Sequence, residues 1–218
     1  MRGPKLNPFG WSNKTRSIDV AIEVPSGSHV QGRSGMGDLT ATGRLGVLRY
    51  RTGLGHVCFD EAGTLSASTA TGNVLGGRVT GEATVTTASG RVHLGELASG
   101  VLNNSNGTTV VGSAGGPLKI RCANGDITVE EASGDVDAKT ANGSVRVLEA
   151  VRGSLTLQTA MGEIDVGIHD GSVAWLDVKT KFGLVRNEMT AAGAPAGGPD
   201  RVEVHANTAF GDVTVRRA

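Results

Sequence analysis

Apolar and polar residues alternate along most of this chain in short stretches, and most stretches begin just after a glycine. Val145 and Val147, for example, stand at the second and fourth places after Gly143. Side chains that alternate in this way point to opposite faces of a β-strand. The pattern predicts short strands with one buried face each. An earlier alternating stretch, Ser17 to Val24, predicts a strand that precedes the repeats.

The glycine phrase recurs at a nearly fixed interval of 17 to 19 residues as far as Gly162. Apolar residues also stand seven and five places before the glycine, as Leu155 and Leu157 do, so each repeat predicts two strands. Self-similarity at a fixed period is typical of repeat proteins. The ten anchor glycines are Gly37, Gly55, Gly72, Gly90, Gly107, Gly125, Gly143, Gly162, Gly183 and Gly211.

A second glycine lies about halfway between most anchors, which predicts a second tight corner where a positive φ is tolerated. Repeats of strand, corner, strand and corner stack copy on copy. We therefore predict an all-β, single-stranded β-solenoid (β-helix-like) of about ten coils of roughly 18 residues. A meander of antiparallel hairpins is the alternative, favoured by pairs such as Asn124-Gly125. The halfway glycines are Gly63, Gly81, Gly100, Gly116, Gly134, Gly153 and Gly171.

The domain organisation follows from where the repeats begin and are interrupted. Residues 1–16 are rich in Pro, Gly and basic residues and are interpreted as a flexible lead-in or end cap, whose Phe9 and Trp11 dock on the open end of the array. Residues 17–218 form the β-solenoid repeat domain. Within it, residues 187–200 lack an apolar pattern and are interpreted as a loop insertion.

Threonine is the commonest residue three places before the anchor glycine. Thr87, Thr140 and Thr159 share this place, and Cys122 lies in the same column. Ice-binding solenoids present such a column outward. Here Leu155 and Leu157 point inward, so Thr159 does too, and we expect these hydroxyls to bond corner backbone groups inside the coil. The expected structural residues are these threonines with Gly90, Gly107, Gly125, Gly143 and Gly162.

Charge and composition narrow the function classes. The 218 residues carry 21 Lys and Arg against 21 Asp and Glu, so no net charge attracts nucleic acid. No run approaches the ~18 apolar residues of a membrane span, and the first residues lack the apolar region of a signal peptide, so we expect a cytoplasmic protein. Cys58 and Cys122 are too few for a disulfide framework or a zinc site and are interpreted as free structural thiols.

Candidate chemistry is sparse. Asp38, Asp126 and Asp212 share the place after the anchor glycine but belong to distant coils, which indicates solvated surface. The five histidines share no column with acidic residues, and the calcium nonapeptide and phosphate-loop motifs are absent. The outward column four places before the glycine is basic at both ends without interleaved aromatic residues. We therefore predict no catalytic residue, no metal site and no cofactor.

The repeated Thr-Ala-Asn-Gly-x-Val-x-Val phrase, the Ser17-Ile18-Asp19-Val20 segment and the closing Thr208-Ala209-Phe210-Gly211 resemble a known family. They are similar to the bacterial adhesin-like β-strand-repeat proteins of the domain of unknown function 4097. The resemblance covers residues 17–218. It implies a β-solenoid and brings no motif of catalytic residues, and the adhesin name itself rests on shape.

These observations predict a non-catalytic interaction or scaffold protein, with a protein partner or self-association as its binding mode and carbohydrate as a further ligand class. A carbohydrate-active β-helix enzyme is the first alternative, and it requires two acids and a base on adjacent coils of one groove. A self-assembling filament that polymerises through bare ends is the second alternative.

Overall fold

The structure is a computed structural model that describes residues 18–189 and 200–218. It is a parallel β-solenoid, and the described residues contain no helix. The alternation seen in the sequence builds its strands. They are β1 (His29–Met36), β2 (Leu39–Leu54), β3 (Val57–Thr71), β4 (Val74–Ser89), β5 (Val92–Asn106), β6 (Thr109–Ala114), β7 (Leu118–Asn124), β8 (Ile127–Ala132), β9 (Val136–Lys139), β10 (Val145–Ala150), β11 (Gly153–Met161), β12 (Ile164–Ile168), β13 (Val173–Phe182), β14 (Val185–Asn187), β15 (Arg201–Phe210) and β16 (Val213–Arg217).

Every strand pairs in parallel with the equivalent strand of a neighbouring coil. Val145, for instance, lies beside Ile127 on one side and Ile164 on the other. This pairing confirms the solenoid and excludes the hairpin meander, whose strands would be antiparallel. About eight turns of about 18 residues are formed. The predicted ten coils are approximate, because the coils at both ends are incomplete.

The coil has two faces that enclose one core. The post-glycine face holds the strands that follow an anchor glycine, such as β6, β8 and β10. The pre-glycine face holds those that precede one, such as β7, β9 and β11. In the first coils, β2 to β5 run through the second corner without a break. The predicted inward residues Val145, Val147, Leu155 and Leu157 are fully buried between the two faces.

The coils do not follow chain order at the C-terminal end. Strand β15 lies between β11 and β13, and β16 lies between β12 and β14. The N–H of Gly162 accordingly donates to Phe210 O at 2.9 Å, and the N–H of Gly211 donates to Phe182 O at 3.0 Å. The last repeat in sequence is therefore the next-to-last coil in space.

The strand predicted at Ser17 to Val24 is wrong for the described residues 18–24. They form no strand, and the side chains of Ile18, Val20 and Ile22 are 82%, 72% and 76% exposed. Regular pairing with the next coil begins only at Gly27, whose N–H donates to Arg44 O. A strand needs a neighbour that bonds its backbone, and alternation alone supplies none. The expected lead-in at 1–16 and most of the loop insertion lie outside the described residues.

The two sets of corner glycines are required for different reasons. Gly143 has φ 144°, in a region that only glycine adopts readily, and a Cβ there would overlap the carbonyl oxygen of Gly125 in the neighbouring coil. Of the halfway glycines, only Gly153 has a positive φ, so the predicted role of φ at that corner is wrong for the others. At Gly63, for example, the requirement is close approach, since a Cβ would overlap Gly46 O.

Candidate interaction surfaces

The inward column three places before the anchor glycine ties each corner to its neighbour. Thr140 Oγ1 donates to Gly125 O at 3.1 Å, and Thr159 Oγ1 donates to Gly143 O at 2.9 Å. The hydroxyl of Thr87 is buried and has no partner among the described residues. Each such bond joins a side chain of one coil to the anchor glycine of the coil before it, so the column lies inside the coil and presents no ligand site.

Three aspartates that follow anchor glycines also bridge coils. Their Oδ1 atoms accept backbone N–H groups from the next coil: Asp38 from His56 at 2.7 Å, Asp126 from Ser144 at 2.8 Å and Asp212 from Leu184 at 2.9 Å. The sequence indicated plain solvated surface here. The structure gives these carboxylates a capping role, because the corner N–H would otherwise lack an acceptor.

The place directly before the anchor glycine forms an outward corner column. In its middle, the side-chain amides of three asparagines bond one another: Asn124 Nδ2 donates to Asn106 Oδ1 at 2.9 Å, and Asn142 Nδ2 donates to Asn124 Oδ1 at 2.8 Å. Neighbouring amides thus satisfy each other along the stack. This part of the corner is polar and largely self-satisfied.

The same column becomes apolar towards the C-terminal end. Phe210 and Phe182 stack with ring centroids 5.0 Å apart and planes 8° apart, although they are 54% and 65% exposed. Met161 holds the same place in the coil on the other side of Phe210, towards the middle of the solenoid, and is 55% exposed. Leu184 lies just past the corner from Phe182 and is 60% exposed. We call Met161, Phe210, Phe182 and Leu184 the C-terminal ridge. Clustered exposed apolar side chains mark interaction sites more often than scattered ones do.

A second exposed ring lies on the pre-glycine face at the same end. Trp175 makes an edge contact with His205, with ring centroids 5.3 Å apart. His205 Nε2 is 3.1 Å from Glu203 Oε1, and Asp177 Oδ2 is 3.6 Å from His205 Nδ1. The hydrogen bond from Lys179, with a smaller effect of His205, lowers the pKa of Asp177. The cluster is an exposed indole beside the carboxylate side chains of Asp177 and Glu203.

An open groove of about 620 Å³ runs along the middle of the pre-glycine face. Asp135, Asp137 and Lys119 line it, which places two acids and a base on adjacent coils. Arg121 binds Asp137 through two bonds of 3.0 and 2.6 Å, and this hydrogen bonding lowers the pKa of Asp137. Asp135 Oδ1 accepts the N–H of Ser154 at 2.9 Å. Asp137 is thus held as an ionised acceptor, which is the wrong state for a general acid, and Asp135 is engaged with the backbone of the next coil.

The described residues offer little for metal binding or thiol chemistry. The described residues contain no group of three His, Cys, Asp or Glu side chains that could hold a metal ion. Cys58 and Cys122 are unbridged and partly buried. Burial raises the pKa of the Cys122 thiol, whose Sγ lies 3.6 Å from Gly107 O. A protonated thiol is a weak nucleophile, so Cys122 acts as a packing residue of the threonine column.

The stacked coils, the glycine corners and the repeat period agree with the family comparison. The family described as Toastrack DUF4097 matches residues 6–216. The chain belongs to this family. Comparisons with curated proteins and with solved structures found no match. In the described part of this Toastrack chain, no helix is long and apolar enough to cross a membrane.

Alignment on the anchor glycines could have revealed the C-terminal ridge in this Toastrack chain. Met161, Phe182 and Phe210 all stand one place before an anchor, whereas the five middle places, from Thr71 to Asn142, hold polar residues. The apolar character of this place was the missed signal, since the predictions rested on the columns three and four places before the glycine and on the place after it. The contact between Trp175 and His205 could not have been found in the same way, because it depends on the interleaved order of the last coils.

Proposed function

We propose that this chain is a non-catalytic interaction protein that binds a protein partner through the C-terminal ridge. The observation that carries the proposal is the exposed stack of Phe210 on Phe182, flanked by Met161 and Leu184. Aromatic side chains dominate the energetics of protein interfaces, because they bury a large area at low entropic cost. The paired strands β11, β15 and β13 hold Met161, Phe210 and Phe182 side by side in register.

The polar side chains support binding rather than catalysis. Asp137 is paired with Arg121, and Asp126 and Asp212 accept backbone N–H groups. A general acid or base needs a carboxyl group whose proton can be exchanged with substrate. These groups instead hold the coils together.

A pull-down from extracts of the native cell tests the proposal. We expect Phe182→Asp and Phe210→Asp each to abolish capture of partners that the unaltered chain retains. Leu148→Asp is the matched control, because Leu148 is an exposed apolar residue (40%) of β10, on the post-glycine face and outside the ridge. Equal capture by all three variants would show that the ridge is not the binding surface.

Glycan binding on the pre-glycine face is the second candidate. Trp175 is 57% exposed, and Glu203 and Asp177 lie beside it, which matches the ring and the hydrogen-bond acceptors that sugars use. Titration with oligosaccharides while tryptophan fluorescence is recorded tests it. We expect a saturable change that Trp175→Ala removes. No change with any glycan would leave only the ridge as a candidate.

A further inference from the structure

The two ends of the solenoid carry complementary backbone groups. The N–H of each anchor glycine except Gly183 donates to the carbonyl of the residue that precedes the anchor of the next coil. At one end of this series Gly37 donates to Leu54 O, and at the other end Gly211 donates to Phe182 O. In the described part of the chain no coil lies beyond Gly183, so its N–H faces an open edge. Likewise no coil precedes Met36, whose carbonyl is the equivalent acceptor. One end thus offers the donor and the other the acceptor.

A side-chain bond repeats with the same polarity. Thr180 Oγ1 donates to Gly211 O at 3.0 Å, and Thr208 Oγ1 donates to Gly162 O at 3.1 Å, as in the coils before them. Gly183 O is the next acceptor in this series. The next donor would be a hydroxyl three places before an anchor glycine in a following coil. Ser34 holds this place in the first coil, and among the described residues no carbonyl of an earlier coil accepts its hydroxyl.

The apolar residues at the two ends also match. Leu176 and Val178 are only partly buried in β13, and Val185 of β14 is 49% exposed. At the other end Val30 and Leu39 are partly buried in the same columns. Both ends of the core are therefore open among the described residues. Solenoids normally close their ends with a polar capping repeat, which these coils do not provide.

We propose that the C-terminal end of one copy docks on the N-terminal end of a second copy, so that β13 pairs in parallel with β1 and β14 with the start of β2. This inference rests on the proposed interaction role and names the partner. Gly183 N–H donates to Met36 O, Ser34 Oγ donates to Gly183 O, and Leu176 covers Val30. Because the two contacting surfaces differ, the contact is heterologous and repeats into a filament.

Two features bear on whether the ends can meet. Residues 18–24 form no strand, so among the described residues β2 has a partner at Leu39 on only one side, which leaves the other side for β14. Lys179 would lie beside Arg33, but the same opposition of two cations occurs inside the solenoid, where Arg121 pairs with Lys139. With no net charge on the chain, no long-range repulsion separates the copies.

Sedimentation velocity of the full chain over a concentration series tests the proposal. We expect species that grow by one chain at a time. Ser34→Ala should weaken association by about 3- to 10-fold, since it removes one hydrogen bond at the contact. Ser66→Ala, an exposed serine on β3, is the matched control and should have no effect. A single chain at every concentration would overturn the proposal.

Cross-linking tests the polarity. Gly35 and Lys181 are exposed and hold the same place, two before an anchor glycine, at opposite ends. In a background of Cys58→Ser and Cys122→Ser, we expect disulfides when copies with Gly35→Cys and copies with Lys181→Cys are mixed and oxidised. Bonds only between identical copies would overturn the head-to-tail arrangement. If the ridge variants still lose cellular partners in that case, the proposed function stands without this partner.

Discussion

Phe210 lies between Met161 and Phe182 in the corner column, although Phe182 comes between the other two in the sequence. Because neighbouring strands lie ~4.8 Å apart, Met161 and Phe182 are separated by roughly twice that distance. A disulfide needs Cα atoms within ~7 Å. In a background without Cys58 and Cys122, we expect oxidation to join Met161→Cys with Phe210→Cys rapidly within one chain.

The pair Met161→Cys with Phe182→Cys is the control for that prediction. It should remain reduced under the same oxidant, because Phe210 separates the two positions. Mass spectrometry after proteolysis identifies the bonds. Rapid closure of the control pair would mean that the coils stack in chain order.

Gly143→Ala should destabilise the protein by at least about 2 kcal/mol. The new Cβ would overlap Gly125 O, and φ 144° is itself costly for any other residue, by about 1 to 3 kcal/mol. Gly35→Ala is the matched control and should change the free energy of unfolding by less than about 0.5 kcal/mol, since a Cβ there meets nothing within 4 Å. Urea denaturation measures both. Equal midpoints for the two variants would contradict the placement of Gly143 at a tight corner.

Arg217→Ala should lower the free energy of unfolding by about 1 to 3 kcal/mol, a range typical of hydrogen bonds from charged donors. Arg217 Nη1 donates to His169 O at 2.8 Å and to Ser172 O at 3.0 Å, so the last strand braces the turn that leads into β13. Arg146→Ala removes an exposed arginine of β10 and serves as the control. Thermal unfolding of both variants checks the prediction, which fails if their midpoints are equal.

Asp137 should titrate below the usual pKa of about 3.9, because Arg121 stabilises its ionised form. A lowered folded-state pKa contributes stability above the unfolded pKa, and the contribution is lost as pH falls through the folded pKa. Arg121→Gln should therefore destabilise the protein at pH 6 and make little difference at pH 2. We expect less than about 1 kcal/mol at pH 6, since both side chains are about one third exposed.

Carboxyl NMR gives the pKa of Asp137, and urea denaturation at the two pH values gives the stability difference. Arg146→Gln makes the same change in charge at an exposed site and serves as the control. A destabilisation by Arg121→Gln that persists at pH 2 would show that the ion pair is not its cause.

The local pattern of the sequence was enough to predict the strands, their inward residues and the corner glycines. Val145 must point inward if Val147 does, because strand alternation is a property of neighbouring residues. The same alternation predicted that Thr159 points inward, and its bond to Gly143 O lies inside the coil. Three of the ridge residues, Met161, Phe182 and Phe210, were also readable from their place before the anchor glycines.

The neighbours of each coil were decided only by the tertiary structure. Because the repeats are similar in sequence, the strand edges that they present are similar too. The local pattern alone would therefore allow β11 to pair with either β13 or β15. The connection from Asn187 to Arg201 and the contacts of Arg217 with the turn before β13 accompany the interleaved order. That order brings Phe210 onto Phe182 and Trp175 beside His205. Residues 18–24 show the same limit of local pattern. Their alternation predicts a strand, but a strand forms only where a neighbouring backbone can bond it.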